Sequence, residues 1–216
     1  MIKESKQKKL SAKSPLHFAR FEFKYVLPES KRRAIEAEMN YFVQLDPFVA
    51  DYPGKEYCVR SLYYDDPAYS CFYDKIDGIC TRSKFRIRTY PNESSKSSPI
   101  FLEIKGRHNN LVFKHRTLIS QRNFDKFDLS GKRLSEAVIL NADDSHVKEQ
   151  FKYEWIKKRL YPIALIDYLR RPYVSKFNPD FRVTFDRALR ATETDCLFPD
   201  GRSRSMEVVA GYTVLE

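Results

Sequence analysis

The chain has 216 residues, with 39 Lys plus Arg against 29 Asp plus Glu, and its net charge of +10 points to acidic partners. A composition that is 42% hydrophobic and 14% aromatic, with 14 Tyr and 16 Phe against 1 Trp, excludes a disordered cationic chain and indicates a folded, β-rich domain. The longest charge-free stretch, Val208–Leu215, is 8 residues, far short of the roughly 20 that cross a bilayer, so no membrane span is expected.

Residues 1–14, carrying Lys3, Lys6, Lys8, Lys9 and Lys13 and little apolar surface, read as a solvated basic tail. No apolar run follows this charged start, which argues against a secretion signal and for a cytoplasmic location. Residues 15–216 read as a single domain. From Phe18 to Leu27 the pattern alternates, with Phe21, Phe23 and Tyr25 on one face of a strand and Arg20, Glu22 and Lys24 on the other. Pro28 opens a helix expected to run to Leu45, with Ile35, Met39 and Phe42 on its apolar stripe. A strand over Tyr57–Tyr64 precedes Asp66, which is placed to cap a short helix from Pro67 to about Lys75. Lys84–Tyr90, Ile100–Arg107 and Leu111–Ser120 read as strands, the last two joined by a turn at His108-Asn109-Asn110. The polar stretch Ser94–Pro99 is a loop, and a helical pattern covers Asn123–Leu160, punctuated by Gly131, with Ser145 as an N-cap and Pro162 as a stop. Ile163–Arg171, Phe181–Arg187 and Met206–Glu216 complete about eight strands, with no internal repeat. The four cysteines, Cys58, Cys71, Cys80 and Cys196, form no C-x-x-C pair, which disfavours a zinc site or a disulfide framework.

The informative feature is a recurrence. Strand after strand places charged side chains at every second position: Arg20, Glu22 and Lys24; Arg86 and Arg88; Glu103, Lys105 and Arg107; Lys114 and Arg116; Tyr168 with Arg170; Arg182, Thr184 and Asp186. Polar-out, apolar-in alternation is what any antiparallel sheet with one wet face shows. Here, however, the polar positions are filled repeatedly by Arg and Lys, whose repulsion across strands calls for anions between them. Guanidinium forks match phosphate oxygens and lysines add point charges, so converging faces of this kind would make a polyphosphate cavity. Glu22, Glu103 and Glu216 are then candidate oxygen ligands for Mg²⁺ or Mn²⁺, with charge balancing among the arginines as the alternative for each. Arg20 and Arg107, on the same charged faces, stand as candidate cofactor-binding positions.

An ordered set of short patterns carries a resemblance. Arg20-x-Glu22-x-Lys24-Tyr25, Leu62-Tyr63-Tyr64-Asp65, Phe85-Arg86-Ile87-Arg88, Phe101-Leu102-Glu103-Ile104-Lys105, Lys114-x-Arg116, Tyr168-x-Arg170-x-x-Tyr173, Arg182-Val183-Thr184-Phe185-Asp186 and Val214-Leu215-Glu216 follow one another from about residue 18 to the last residue. Together they resemble the VTC polyphosphate polymerase domain, one of the triphosphate tunnel metalloenzymes. The resemblance implies an α+β fold in which a closed antiparallel eight-stranded β-barrel, the tunnel, carries its helices outside. It also implies ATP-dependent polyphosphate synthesis with a divalent metal. Position by position, it implies phosphate contacts by Lys24, Arg86, Arg88, Lys105, Lys114, Tyr168, Arg170 and Arg182, with Arg116 as a further candidate, and metal binding by Glu216. The hydrolytic CYTH branch of the same fold is marked by E-x-E-x-K near its start, where this chain reads Arg20-Phe21-Glu22-Phe23-Lys24, which favours the VTC branch. The family's last strand continues as E-x-K, whereas this sequence ends at Glu216.

No Walker loop is present, and phosphoryl transfer through a loose transition state needs alignment and charge stabilisation rather than a catalytic triad. The expected ligands are therefore ATP or triphosphate and polyphosphate, with any membrane partner a separate chain. Two other readings keep the tunnel: a hydrolase of small triphosphates, and a polyphosphate sensor without turnover. A nucleic-acid-binding module would share the charge, but the basic residues alternate within strands and no RNP, helix-turn-helix or KH signature occurs, so no nucleic acid is expected.

Overall fold

The computed structural model describes residues 17–91, 98–120, 131–199 and 203–216. The basic tail, most of the Ser94–Pro99 loop and the first residues of the helical stretch expected from Asn123 lie outside the described residues. The fold is an antiparallel sheet of eleven strands with four α-helices among the described residues.

The strands are β1 (His17–Arg20), β2 (Tyr25–Pro28), β3 (Val43–Leu45), β4 (Tyr57–Asp65), β5 (Thr81–Thr89), β6 (Ile100–His108), β7 (Leu111–Ile119), β8 (Tyr161–Ser175), β9 (Arg182–Glu193), β10 (Ser205–Glu207) and β11 (Tyr212–Leu215). Their order is β1-β7-β6-β5-β4-β8-β9-β11-β2, with β10 on β9 and β3 on β8. The closed eight-stranded barrel is thus corrected, because β1 and β2 end the path on opposite edges and are not paired with each other. The physical reason lies in one extended segment that changes partner. Arg20 pairs with Val112 of β7, Tyr25 pairs with Leu215 of β11, and Phe21–Lys24 carry the chain from one edge to the other.

Other elements differ from expectation at their ends. Helix α1 (Glu29–Met39) starts after Pro28 as expected but stops short of Leu45. Val43–Leu45 instead forms β3 against Tyr173–Ser175, because a strand there buries Val43 (3% exposed) beside Tyr173 and Phe185. Helix α2 (Ser70–Ile76) begins three residues after Pro67. Its free amides are met from outside: Asp65 accepts from the backbone N–H of Cys71 and Phe72 at 2.9 and 3.0 Å, and Asp66 from Ala68 and Ser70 at 2.9 and 3.1 Å. The predicted last strand is split, since Val209 (φ 53°) and Gly211 (φ 77°) make a turn between β10 and β11.

The helical stretch resolves into α3 (Gly131–Asn141) and α4 (His146–Lys158), with Ser145 Oγ accepting from Lys148 N at 3.2 Å as the N-cap. These helices cover one face of the sheet. Leu62, Phe85, Ile87, Leu102, Ile104 and Leu165 pack there against Val138, Val147 and Phe151. Phe151 is fully buried, with edge-to-face contacts to Tyr64 at 5.5 Å and Phe85 at 5.7 Å. α1 packs Ile35 and Met39 on a second, smaller cluster of Val43, Tyr173 and Phe185. Because side chains alternate along each strand, giving these apolar residues to the helices leaves the intervening charged residues on the other face. No helix among the described residues is long and apolar enough to cross a membrane.

Candidate polyphosphate site

The inner face of the sheet surrounds a cavity of about 290 Å³. Its lining carries seven basic side chains, Arg20, Lys24, Arg86, Arg88, Lys105, Lys114 and Arg170, against three carboxylates, Glu22, Asp186 and Glu216. β5 supplies Arg86 and Arg88, β6 Lys105, β7 Lys114 and β8 Tyr168 with Arg170, while the β1–β2 segment supplies Arg20, Glu22 and Lys24. Register sharpens the crowding: Lys84, Lys105 and Lys114 stand directly opposite one another across β5, β6 and β7. Like charges so placed repel unless an anion lies among them.

The carboxylates provide part of the compensation. Arg86 Nε and Nη2 donate to Glu103 Oε2 at 2.8 and 2.6 Å, and Arg86 Nη1 donates to the Tyr63 hydroxyl at 2.9 Å. Arg88 donates to Ser61 Oγ at 2.9 Å and to the Tyr168 hydroxyl at 3.3 Å. Arg170 makes two 2.7 Å bonds to Asp186 and one of 2.9 Å to Glu216. Lys24 Nζ lies 3.0 Å from Glu22 and 2.8 Å from Glu216, and Lys105 Nζ donates to both oxygens of Glu22 at 2.7 and 2.9 Å.

Titration follows from this arrangement. Burial pushes the Lys114 ammonium down to about 8, with Glu103 opposing and Arg116, Arg86 and Arg88 reinforcing the fall. Lys105 is lowered by burial against the pull of Glu22 and Glu216. Burial alone would raise the Tyr63 phenol, but Arg86 and Arg88 outweigh it and bring it down to about 8. Glu103 is likewise held at about 2 by Arg86, Arg88 and Lys114 despite burial. Glu216 falls well below the usual carboxylate range because Arg170, Lys24 and Lys105 overcome its desolvation.

Of the residues singled out in the sequence, the cavity gathers Arg20, Glu22, Lys24, Arg86, Arg88, Lys105, Lys114, Tyr168, Arg170 and Glu216. Four do not line it. Arg107 bonds the Asn109 carbonyl at 2.7 Å in the β6–β7 turn, and Arg182 is exposed at the start of β9. The Arg116 guanidinium lies 4.6 Å from the Phe101 ring centroid. Glu103, with a fully buried side chain, gives Oε2 to Arg86 and lies behind the cavity wall rather than on it. Tyr63 and Asp186 line the cavity without having been assigned a role. Asp186 shares the alternation of β9, whereas no basic side chain on β4 marks the face that carries Tyr63.

Glu22 and Glu216 are the carboxylates placed to hold a divalent cation, both reaching Lys24 Nζ. Among the described residues no group of three or more His, Cys, Asp or Glu side chains could hold a metal. Two hard oxygen donors fit the manner in which Mg²⁺ and Mn²⁺ are held by one or two carboxylates, with phosphate oxygens and water completing the shell. No cysteine lines the cavity; the four are unbridged, and burial with Asp65 nearby pushes the Cys71 thiol up to about 12.

A family model described as VTC domain matches residues 19–216. No curated protein matches the sequence. Among solved structures, a candidate adenylate cyclase from Bacillus halodurans is similar at 10% identity and a TM-score of 0.47, over 91% of this chain and 80% of that one. A protein from Pyrococcus horikoshii is similar at 10% identity and a TM-score of 0.42, over 92% and 77%. A candidate adenylate cyclase from Vibrio parahaemolyticus is similar at 10% identity and a TM-score of 0.39, over 91% and 75%.

Proposed function

The chain belongs to the VTC domain family, and from that premise we propose that it is a metal-dependent phosphotransferase, moving the γ-phosphoryl group of ATP onto a polyphosphate chain held in the basic cavity. The observation that carries this reading is the convergence of seven Arg and Lys side chains from separate strands on one cavity that also contains Glu22 and Glu216. Such a lining suits a linear polyanion, because each phosphate finds a guanidinium or ammonium along its path.

The chemistry asked of these residues is alignment and charge stabilisation. A terminal oxygen of the polyphosphate attacks the γ-phosphorus, the bond from that phosphorus to the β–γ bridging oxygen breaks, and ADP leaves with the electron pair. Arg86 and Arg88 are held by Glu103, Ser61 and Tyr168, so their donors are oriented before substrate arrives. Lys105, Lys24 and Arg170 are paired with carboxylates and would exchange those partners for phosphate oxygens. Glu22 and Glu216 are the residues that would hold Mn²⁺ or Mg²⁺, which would supply Lewis-acid stabilisation of charge on the phosphate oxygens.

The test is incubation with ATP and Mn²⁺, with and without a short polyphosphate primer, resolving chain length and released phosphate together. Long chains with ADP, abolished by Lys105→Ala, support the polymerase. Release of phosphate or pyrophosphate alone makes the cavity a hydrolase, and binding of polyphosphate without turnover makes it a sensor.

A further inference from the structure

Tyr63 belongs to β4, which presents Ser61 and Tyr63 to the cavity side while Leu62 and Tyr64 enter the core under the helices. Its ring lies beneath the Arg86 guanidinium, 5.7 Å from carbon to ring centroid, and its oxygen accepts from Arg86 Nη1 at 2.9 Å. A phenol hydroxyl both accepts and donates. The accepting side is occupied by Arg86, and the proton finds no acceptor among the described residues. Every other group at hand is a poor acceptor, a committed one or one not bonded to Tyr63. Lys84, Arg86 and Arg88 of β5, Lys105 of β6 and Lys114 of β7 offer donors, Glu103 gives Oε2 to Arg86 while its buried Oε1 is bonded to no group, Tyr63 included, Glu22 is bound to Lys105, and the Tyr168 hydroxyl of β8 accepts from Arg88. A donor held in a ring of cations lacks one partner, an anionic oxygen.

We propose that Tyr63 is a further phosphate-binding residue of this cavity: fixed by Arg86, its neutral hydroxyl donates its proton to an oxygen of the bound phosphate chain. The proposal rests on the reading of the cavity as a polyphosphate site. It makes a distinction that a purely orienting role would not. Arg86 and Arg88 favour the phenolate, bringing the group down to about 8. A phenolate cannot donate and repels phosphate, so the bound chain requires the neutral form and restores the proton from solvent. If Tyr63 only oriented Arg86, the phenolate would do so at least as well, because it is the stronger acceptor.

The experiment uses the full chain and inorganic tripolyphosphate as the probe. Affinity is measured by calorimetry from about pH 7 to about pH 9, one unit either side of the phenol's value, for the natural protein and Tyr63→Phe. The near-ultraviolet absorbance of phenolate is followed in parallel. At the lower pH, Tyr63→Phe is expected to bind about tenfold or more weakly, the loss of one hydrogen bond to a charged group. The natural protein is expected to show a phenolate component near about 8 that the variant lacks and that saturating tripolyphosphate suppresses. Equal affinity in the variant, or a phenolate component indifferent to tripolyphosphate, overturns the proposal while leaving the cavity's function standing. Failure of the natural protein to bind tripolyphosphate at all overturns the polyphosphate reading, and this inference with it. The absorbance experiment on the natural protein needs no variant, so a poorly folding Tyr63→Phe does not remove the test.

Discussion

Replacing Glu103 by glutamine removes one charge and little volume from beneath the cavity. The Glu103 side chain is 0% exposed and that of Arg86 6% exposed, and the two meet at 2.6 Å. The carboxyl, ordinarily at 4.5, is held at about 2 by Arg86, Arg88 and Lys114 against its burial. At about 1.4 kcal/mol per unit, this depression of about 2.5 units amounts to about 3 kcal/mol of stability at neutral pH. Direct loss of one partner from a buried ion pair costs about 3–5 kcal/mol, which agrees. The sign follows from the folded value lying below the unfolded one: the stabilisation is complete above 4.5 and is lost as pH falls toward about 2. Glutamine resembles the protonated acid, so the deficit of Glu103→Gln should shrink as the natural protein itself is acidified. Equilibrium urea unfolding followed by circular dichroism should show about 3 kcal/mol between the two at about pH 7 and about 2 kcal/mol at about pH 3.5. A variant within about 0.5 kcal/mol of the natural protein at neutral pH, the ordinary scatter of surface changes, would refute the assignment of Glu103 as the buried anchor of Arg86.

Lys105→Ala removes a cavity cation whose partner, Glu22, lies at the cavity wall rather than in the core, so folding should survive while turnover falls about 100-fold, read from ADP release. Glu216→Gln should raise the Mn²⁺ concentration needed for turnover by about tenfold or more, yet bind tripolyphosphate in EDTA as tightly or more tightly, because it removes an anion that competes for Arg170 and Lys24; weaker binding in EDTA would contradict this. Burial brings Lys114 down to about 8 from its ordinary 10.5, and a polyanion raises it, so its share of the affinity for tripolyphosphate should fall by up to about tenfold per pH unit above that value and Lys114→Gln should make the calorimetric profile less steep. Gly106→Ala would place a Cβ 1.9 Å from the Phe113 ring, which must move, costing about 1–3 kcal/mol in urea unfolding; an unchanged midpoint would show that the ring moves freely.

The inner face of the sheet was legible because a two-residue period survives whatever a strand's partners are. Parity puts Arg86, Arg88, Lys105, Lys114, Tyr168 and Arg170 on the charged face, the resemblance implies phosphate contacts for them, and all line the cavity. Parity gives the face of a residue but not its depth along the strand. Arg107 and Arg182 share the charged face, yet sit at the β6–β7 turn and the start of β9. Parity also gives no partners. Glu103 stands among cations in sequence just as Glu22 does, and only the register, which sets Arg86 and Arg116 on either side of it, shows that it is consumed by the sheet. Tyr63 was invisible for the opposite reason: β4 carries no basic side chain on its cavity face, and a tyrosine in a strand is ordinarily packing.

The closed barrel is what the resemblance implies, and alternation cannot test it. Unbroken alternation from Phe18 to Leu27 fits one strand paired along its whole length, but parity is preserved through Phe21–Lys24, where the backbone changes partner from β7 to β11. Side chains span the interval that backbone hydrogen bonds do not. Glu22 joins Lys24 to Lys105 of β6, and Glu216 joins Lys24 to Arg170 of β8. The two carboxylates that join the cavity's walls are therefore the same two that would take a divalent cation. Were Glu22 and Glu216 drawn to a metal, Lys24, Lys105 and Arg170 would lose internal counter-ions and become available to phosphate. Metal and polyanion are then expected to favour one another, since each would relieve the charge that the other leaves unpaired.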